Sequence, residues 1–221
     1  MKNSITIVLL FTLIHAQSFA QSFLGARAGV NLARFGYHFE SNDEEKAARD
    51  ASSIHPVLQG GIFFRKQVNH FAFQPELCWV QKGVRMKYDF GSTSEILLLT
   101  VNYLETPLLL KGIIGNGSKK FSVFAGPAFS YAVGGHNKNI LIEDGNRTND
   151  KEKLDFKDVQ YNRFEVSAQV GIGGSVKAGK GFFETEARYE YGITKLNDDA
   201  ADDKYFNRGI AVSIGYVLLL H

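Results

Sequence analysis

A long hairpin between residues 161 and 193 constrains the fold more than any other part of the sequence. Its two arms alternate apolar and polar residues, and they flank a glycine-containing turn at residues 177–181. Successive side chains of a strand point to opposite faces, so each arm has one apolar and one polar, partly charged face. The apolar positions are Phe164, Val166, Ala168, Val170, Ile172 and Val176 in the first arm, and Phe183, Ala187, Tyr189, Tyr191 and Ile193 in the second.

The same alternation recurs in six other segments, which brings the predicted number of strands to eight. These segments are residues 23–35, 57–67, 71–81, 98–111, 121–133 and 207–220. The connections alternate between long and short, at residues 36–54, 68–70, 82–95, 112–120, 134–160, 177–181 and 197–206. Outer-membrane barrels have an even strand number, long external loops and short periplasmic turns. With no sustained helical periodicity, the sequence predicts an all-β, eight-stranded antiparallel up-and-down transmembrane β-barrel.

The first twenty residues are typical of a cleavable signal peptide. Lys2 supplies a positive charge, residues 5–14 form a short apolar run, and Ser18-Phe19-Ala20 is a small-x-small cleavage site. The apolar run is too short to span a bilayer as a helix. We therefore expect a signal peptide at residues 1–20 and one outer-membrane β-barrel domain at residues 21–221.

Composition narrows the function classes. The formal net charge is +2, which implies no general attraction to nucleic acid. The single cysteine, Cys78, excludes an internal disulfide framework and a site built from several cysteines. The mean hydropathy is slightly negative, which argues against a helical membrane protein but not against a barrel, whose strands turn only alternate residues to lipid.

Two eight-stranded architectures fit the alternation: a membrane barrel with its apolar face outward, and a soluble lipocalin-like barrel with its apolar face inward. The polar face is rich in Gly, Ser and Ala, which suits a narrow packed interior. Phe71 and Trp79 lie eight residues apart on one strand, about 26 Å, close to the height of a membrane band after tilting. We favour the membrane barrel, with these predicted membrane-interface aromatics: Phe71, Trp79, Phe121, Tyr131, Tyr191 and Tyr216.

The inward face of the membrane barrel would carry many charges. Charges in a narrow interior must be paired or hydrogen-bonded, because burial of a lone charge is costly. Two interpretations remain open, a structural salt-bridge network and a proton or ion path, although eight strands leave too little room for an aqueous pore. The predicted lumen charges are Arg27, Arg65, Glu76, Glu105, Glu165, Glu184, Glu186, Arg188 and Glu190.

Six short motifs occur in order along the mature chain, and together they resemble the PorT-like outer-membrane β-barrel family of Bacteroidetes. They are Gly29-Val30-Asn31-Leu32, Gln74-Pro75-Glu76-Leu77, Gln81-Lys82-Gly83, Tyr103-Leu104-Glu105-Thr106-Pro107-Leu108, Ala125-Gly126-Pro127 and Ala187-Arg188-Tyr189-Glu190-Tyr191-Gly192-Ile193. The resemblance implies an integral outer-membrane barrel. The founding member assists a protease-exporting secretion system, a role that these motifs do not carry.

Three prolines, Pro75, Pro107 and Pro127, fall within predicted strands. A closed barrel has no free edge to accommodate them, and each removes a backbone donor. We expect bulges or unpaired carbonyl groups there.

No motif for catalysis or cofactor binding stands out. His38, His55 and His136 lie in or beside the long loops, where an enzyme site could form, but no Ser or Asp stands at informative spacing from them. Asp198, Asp199, Asp202 and Asp203 lack the spacing of a calcium loop. We expect no catalytic, cofactor-binding or metal-binding residues.

The leading functional hypothesis is a non-enzymatic integral protein of the bacterial outer membrane. It would act as a scaffold or a binding surface, with outer-membrane lipid as its environment and a possible protein partner at loops 36–54 and 134–160. The alternatives are a small outer-membrane enzyme that acts on lipid or peptide, and a soluble lipocalin-like carrier.

Overall fold

The structure is a computed structural model that describes residues 20–115, 117–157, 161–197 and 203–220. Nearly all of the predicted signal peptide lies outside the described residues. The described chain contains one antiparallel sheet and one helix. Its elements are β1 (Gln21–His38), α1 (Asn42–Ala51), β2 (Ser52–Ser53), β3 (His55–Val68), β4 (Phe71–Phe90), β5 (Thr93–Ile114), β6 (Lys119–Glu143), β7 (Asn146–Lys153), β8 (Phe164–Ala178), β9 (Gly181–Gly192) and β10 (Lys204–Leu220).

Eight of these strands form a closed ring. Each pairs with its neighbour along the chain, and β1 pairs with β10 from Ser22 opposite Leu220 to His38 opposite Lys204. The two remaining strands lie outside the ring, since among the described residues β2 pairs only with β4 and β7 only with β6. The predicted eight-stranded up-and-down barrel is confirmed.

The apolar face points outward. Phe164, Val170 and Ile214 are 50%, 54% and 60% exposed, whereas Glu165 and Arg188 are 0% and 4% exposed. This distribution is the reverse of the one expected in a lipocalin-like carrier. An outward apolar band of this size requires lipid around it. Among the described residues, no helix has the length and apolar character needed to cross a bilayer.

The loops predicted at residues 82–95 and 134–160 are largely strands. β4 and β5 continue to a two-residue turn at Gly91 and Ser92, and β6 and β7 form a second hairpin closed by Asp144 and Gly145. The alternation continues past the apolar band, but its outward face then carries basic side chains beside apolar ones. We call the outer part of the sheet and its helix the extracellular extension. It consists of α1, β2, β7, residues 83–90 of β4, residues 93–100 of β5 and residues 135–143 of β6.

The extension also contains the helix that periodicity did not indicate. Ser41 caps α1 by accepting a hydrogen bond from the Glu44 amide, and the first turn is acidic while Arg49 lies in the last turn, as the helix dipole favours. None of its residues is fully buried. Of its residues, Ala48 packs against the aromatic cluster inside the barrel mouth. Because the cap and the charges stabilise the helix, its sequence shows no apolar face with helical spacing.

The three prolines interrupt pairing without shifting the strand register. Between β3 and β4, Phe64 and Arg65 do not pair with Gln74 and Pro75. Similar two-residue gaps occur beside Pro107 and Pro127. Of the two expected outcomes, the local gaps correspond to unpaired backbone groups, and the register shows no bulge at these prolines. The register shift that does occur lies elsewhere, between Asn102 and Tyr103, where β6 has one extra residue.

Candidate functional site

The lumen is filled by a column of charged and amide side chains that begins near the periplasmic end. There the Arg65 guanidinium donates two hydrogen bonds to Glu184, at 2.7 and 2.6 Å. Arg65 Nε also donates to Gln74, and the Gln74 amide donates to Glu76. Gln74 therefore joins this ion pair to the charges above it.

The middle of the column is a cluster of interlocked ion pairs. Arg27 forms a bidentate pair with Glu76, and Arg188 contacts Glu76 at 3.1 Å and Glu186 at 2.6 Å. Lys111 Nζ lies 2.6 Å from the other oxygen of Glu186. Each carboxylate thus contacts at least two basic groups, which is the condition for keeping buried charges in a folded interior.

The upper cluster reverses this ratio, with one ammonium group among three carboxylates. Lys82 Nζ lies 2.8 Å from Glu105 and 3.2 Å from Glu165, and it also pairs with Glu190. Gln169 joins the two clusters, because its amide donates to Glu105 while its oxygen accepts from Arg188. The column is therefore continuous across the lumen.

The structure places all nine sequence-predicted lumen charges in this column, together with two that sequence reasoning missed. Lys82 is the first residue of the connection predicted at residues 82–95, directly after the strand predicted at residues 71–81, and the alternation alone therefore does not place it in the lumen. Lys111 ends the strand that carries the predicted lumen charge Glu105, and the same parity places Lys111 inward. The apparent excess of acids over arginines in the sequence is thus largely balanced by lysines.

Apolar clusters close both ends of the column. At the extracellular end the rings of Tyr37, Phe39 and Tyr205 pack edge to face, with centroids 5.4–5.8 Å apart. Below them, Tyr103 and Tyr161 share a hydrogen bond of 2.5 Å. At the periplasmic end, Phe23, Phe63 and Val217 form a buried cluster against Phe182.

The six predicted interface aromatics lie on the outside at two levels. Trp79 and Tyr131 are both level with Leu104, and Tyr191 lies opposite Arg208, near the extracellular side. The periplasmic level is formed by Phe71, Phe121 and Tyr216. Arginine side chains cover two upper rings. The guanidinium carbon of Arg163 lies 4.7 Å from the centroid of the Tyr131 ring, and that of Arg208 lies 3.5 Å from the centroid of the Tyr191 ring. Their role as a membrane interface remains a prediction.

Above the upper aromatics, the outward face of the extension is basic around an apolar floor. The pairing of β4 to β7 aligns Arg85, Leu98, Lys138 and Lys151 in one row. We call this the external basic face. It comprises Arg85, Lys87, Lys138, Arg147, Lys151 and Lys153 around a floor of Ile96, Leu98, Ile140 and Ile142. Arg85, Arg147 and this floor line a groove of about 310 Å³.

Two histidines lie on the membrane-proximal side of this face, above the apolar band. His55 Nε2 lies 2.9 Å from Thr100 Oγ1, and His136 is level with Thr100 on the next strand. Burial lowers the pKa of His55, and His136 and Arg85 lower it further. Burial also lowers the pKa of His136, with added repulsion from Lys151 and Lys138. The positive field of the external basic face therefore reaches both rings.

The candidate chemical centres considered from the sequence stay apart. His38 is exposed at the end of β1, and among the described residues no carboxylate hydrogen-bonds to His55 or His136. Within the described ranges, no group of three or more His, Cys, Asp or Glu side chains has the geometry of a metal site. Asp198, Asp199 and Asp202 lie outside the described residues.

The family model that matches this sequence is the outer membrane protein beta-barrel domain, and it covers residues 16–198. This chain belongs to the outer membrane protein beta-barrel domain family. It is therefore an integral protein of the bacterial outer membrane.

Solved structures to which the chain is similar include neisserial surface protein A, Ail of Yersinia pestis and the N-terminal barrel of Pseudomonas aeruginosa OprF. Neisserial surface protein A is 16% identical, with a TM-score of 0.43, and the match covers 91% of this chain and 99% of that one. Ail, solved with the heparin analogue sucrose octasulfate, is 12% identical with a TM-score of 0.40, and the match covers 90% and 99%. OprF is 13% identical with a TM-score of 0.36, and the match covers 89% and 97%. No curated protein sequence matches the chain.

Proposed function

We propose that the protein is a sealed, non-enzymatic outer-membrane barrel that serves as a scaffold and presents a binding surface on its extracellular extension. The observation that carries this proposal is the continuous column of paired side chains in the lumen, capped at both ends by apolar clusters. An eight-stranded barrel packed in this way leaves no aqueous path.

The surface available for binding then lies outside the ring. The extension places α1 and the β6–β7 hairpin within the segments 36–54 and 134–160, and their surfaces are rich in charged residues. Outer-membrane lipid surrounds the barrel below them, and a protein partner would meet these two segments first. The formal net charge of +2 implies no general attraction to nucleic acid.

The non-enzymatic part of the proposal is supported by the surroundings of the histidines. The His55–Thr100 hydrogen bond resembles a base paired with a nucleophile. However, Thr100 is buried, and no described carboxylate orients either His55 or His136. The contact is better explained as the mutual satisfaction of two polar groups where the start of β3 meets β5.

We further infer that the chain is a PorT-like member of this family, of the Bacteroidetes type. The motifs that carry the resemblance also supply the lumen column. Glu76 comes from one motif, Glu105 from another, and Arg188 and Glu190 from a third, and all of them meet inside the barrel. If an experimental structure of a PorT-like barrel lacked ion pairs at the corresponding positions, this assignment would fail.

Conductance of the purified protein tests the sealed barrel. We expect no stepwise current when the mature protein is inserted in a planar bilayer, under conditions in which a general porin conducts. Discrete current steps with a linear dependence on voltage would overturn the proposal. Hydrolysis of lipid or peptide that is lost in His55→Ala, but retained in His38→Ala, would contradict its non-enzymatic part.

A further inference from the structure

We propose that the external basic face binds the phosphorylated sugar headgroup of an outer-leaflet glycolipid. The inference rests on the proposed function, since it names a partner for the binding surface of the sealed barrel. It depends on the height of this face above the membrane, on its charge and on its apolar floor.

The face lies at the level of lipid headgroups. Trp79 marks the upper end of the apolar band. Arg85 and Lys87 lie six and eight residues further along β4, and His136 of β6 is level with Gly83, four residues beyond Trp79. At about 3.3 Å per residue and the usual strand tilt, these positions stand roughly 10 to 20 Å above Trp79. Headgroups and their sugars occupy the zone just beyond the hydrocarbon core.

The charges of the β6–β7 hairpin are sorted by face. Arg147, Lys151 and Lys153 point to the external side, whereas Asp150 and Glu152 alternate with them on the opposite side. The nearest acid on the external side is Asp89, which is engaged by Ser94 at 2.5 Å and by Lys87 at 2.9 Å. Asp89 therefore weakens the positive field only at the upper edge.

The basic surface continues around the barrel at the membrane edge. Arg34 and Arg208 are paired across β1 and β10, both on the outward parity, and Arg163 lies over Tyr131. A ligand that surrounds the protein in the plane of the membrane would meet this distribution, whereas a soluble partner would need only one patch. Phosphate groups pair well with guanidinium and ammonium groups, each as a charge-assisted contact.

The floor of the groove suits the apolar face of a sugar ring or the first carbons of an acyl chain. Ile96 and Ile140 are buried, while Leu98 and Ile142 are partly open. His55 and Pro56 of β3 form the opposite wall. An aliphatic floor with a basic rim matches an amphiphilic anion better than a free phosphate ion.

Fluorescence energy transfer from Trp79, the single tryptophan, tests the proposal. The mature protein is placed in phosphatidylcholine bilayers with a small fraction of dansyl-labelled lipid A, with or without its two phosphates. We expect enrichment of the phosphorylated lipid around Trp79 but not of the dephosphorylated lipid. In the triple variant Arg85→Gln, Lys138→Gln and Lys151→Gln, the relative association constant should fall of the order of a hundredfold, because each basic residue beside an anionic surface contributes about fivefold.

A matched control removes the same charge elsewhere on the extension. Lys46→Gln, Arg49→Gln and Lys157→Gln change exposed residues of α1 and the loop after β7, and should alter the association constant by no more than about twofold. A milder variant, Lys138→Gln with Lys151→Gln, keeps the test valid if the triple variant does not fold.

Equal enrichment of both lipids, or an equal loss in the control variant, would overturn the proposal. So would binding of a soluble sulfated oligosaccharide to this face without enrichment of phosphorylated lipid. A current through the barrel with intact lipid enrichment would refute the sealed barrel alone, so the two failures are distinguishable.

Discussion

At the scale of single residues, Lys82 holds together the most unbalanced part of the lumen. Its ammonium group contacts Glu105, Glu165 and Glu190, and it is hydrogen-bonded to Ser130. Removing one partner of a buried ion pair leaves the other charge without compensation. Lys82 is therefore the cation that these three glutamates share.

We expect Lys82→Met to lower the free energy of unfolding by about 3–5 kcal/mol, the usual cost of an unpaired buried charge. Urea unfolding of the refolded protein in detergent micelles measures this change. Lys180→Met, in an exposed periplasmic turn, should have almost no effect. Adding Glu105→Gln and Glu190→Gln to Lys82→Met should restore part of the loss, and failure of this rescue would contradict an electrostatic origin.

At the scale of elements, Gly83 connects the membrane part of β4 to its extracellular part. Its φ is 151°, and a Cβ there would lie 1.9 Å from the Leu99 carbonyl oxygen. We expect Gly83→Ala to destabilise the protein by about 1–3 kcal/mol, because the added methyl group must displace the β5 backbone. Faster amide hydrogen exchange in the extension than in the rest of the barrel would localise the effect.

Gly112→Ala is the control for this prediction. A Cβ at Gly112 would meet its nearest neighbour, Val123 Cγ2, at an ordinary 3.6 Å. Equal destabilisation by both substitutions would show that the loss of glycine in a strand, and not the close approach at Gly83, causes the effect.

The elements also show what the sequence could and could not predict. The two-residue alternation predicted the positions of the strands, which face of each strand points outward and nine of the lumen charges. It could do so because lipid requires apolar side chains at alternate positions across the band. Above the band that requirement disappears. On the outward face of β4, Arg85 and Lys87 therefore stand where the band would carry apolar residues, and the sequence pattern predicts loops where the extension has strands.

The partners within the lumen could not be predicted for a different reason. Parity indicates that Glu76 and Arg188 face inward, but their contact depends on the tilt and stagger of strands far apart in sequence. The external basic face was missed similarly, because its rows arise from the register of four strands and from the extra residue in β6.

At the scale of the whole molecule, the closed ring and the outer part of the β6–β7 hairpin rest on separate sets of strand pairs. The ring depends on the pairing of β1 with β10, whereas β7 contacts the sheet through β6 alone within the described residues. The outer part of this hairpin should therefore be removable without loss of the barrel.

We expect that replacing residues 139–150 by an Asn-Gly turn leaves a folded barrel with an unfolding free energy within about 1 kcal/mol of the original. The turn would join the pairs that remain between β6 and β7, from His136–Lys153 to Lys138–Lys151. Heat-modifiable migration in gel electrophoresis reports the closed barrel. Removing residues 216–220 instead deletes the pairing of Ser22 to Ala26 with β10, so this truncation should abolish the folded band. If loss of the hairpin prevented folding while loss of the closing strand end did not, the ring would not be the unit that holds this protein together.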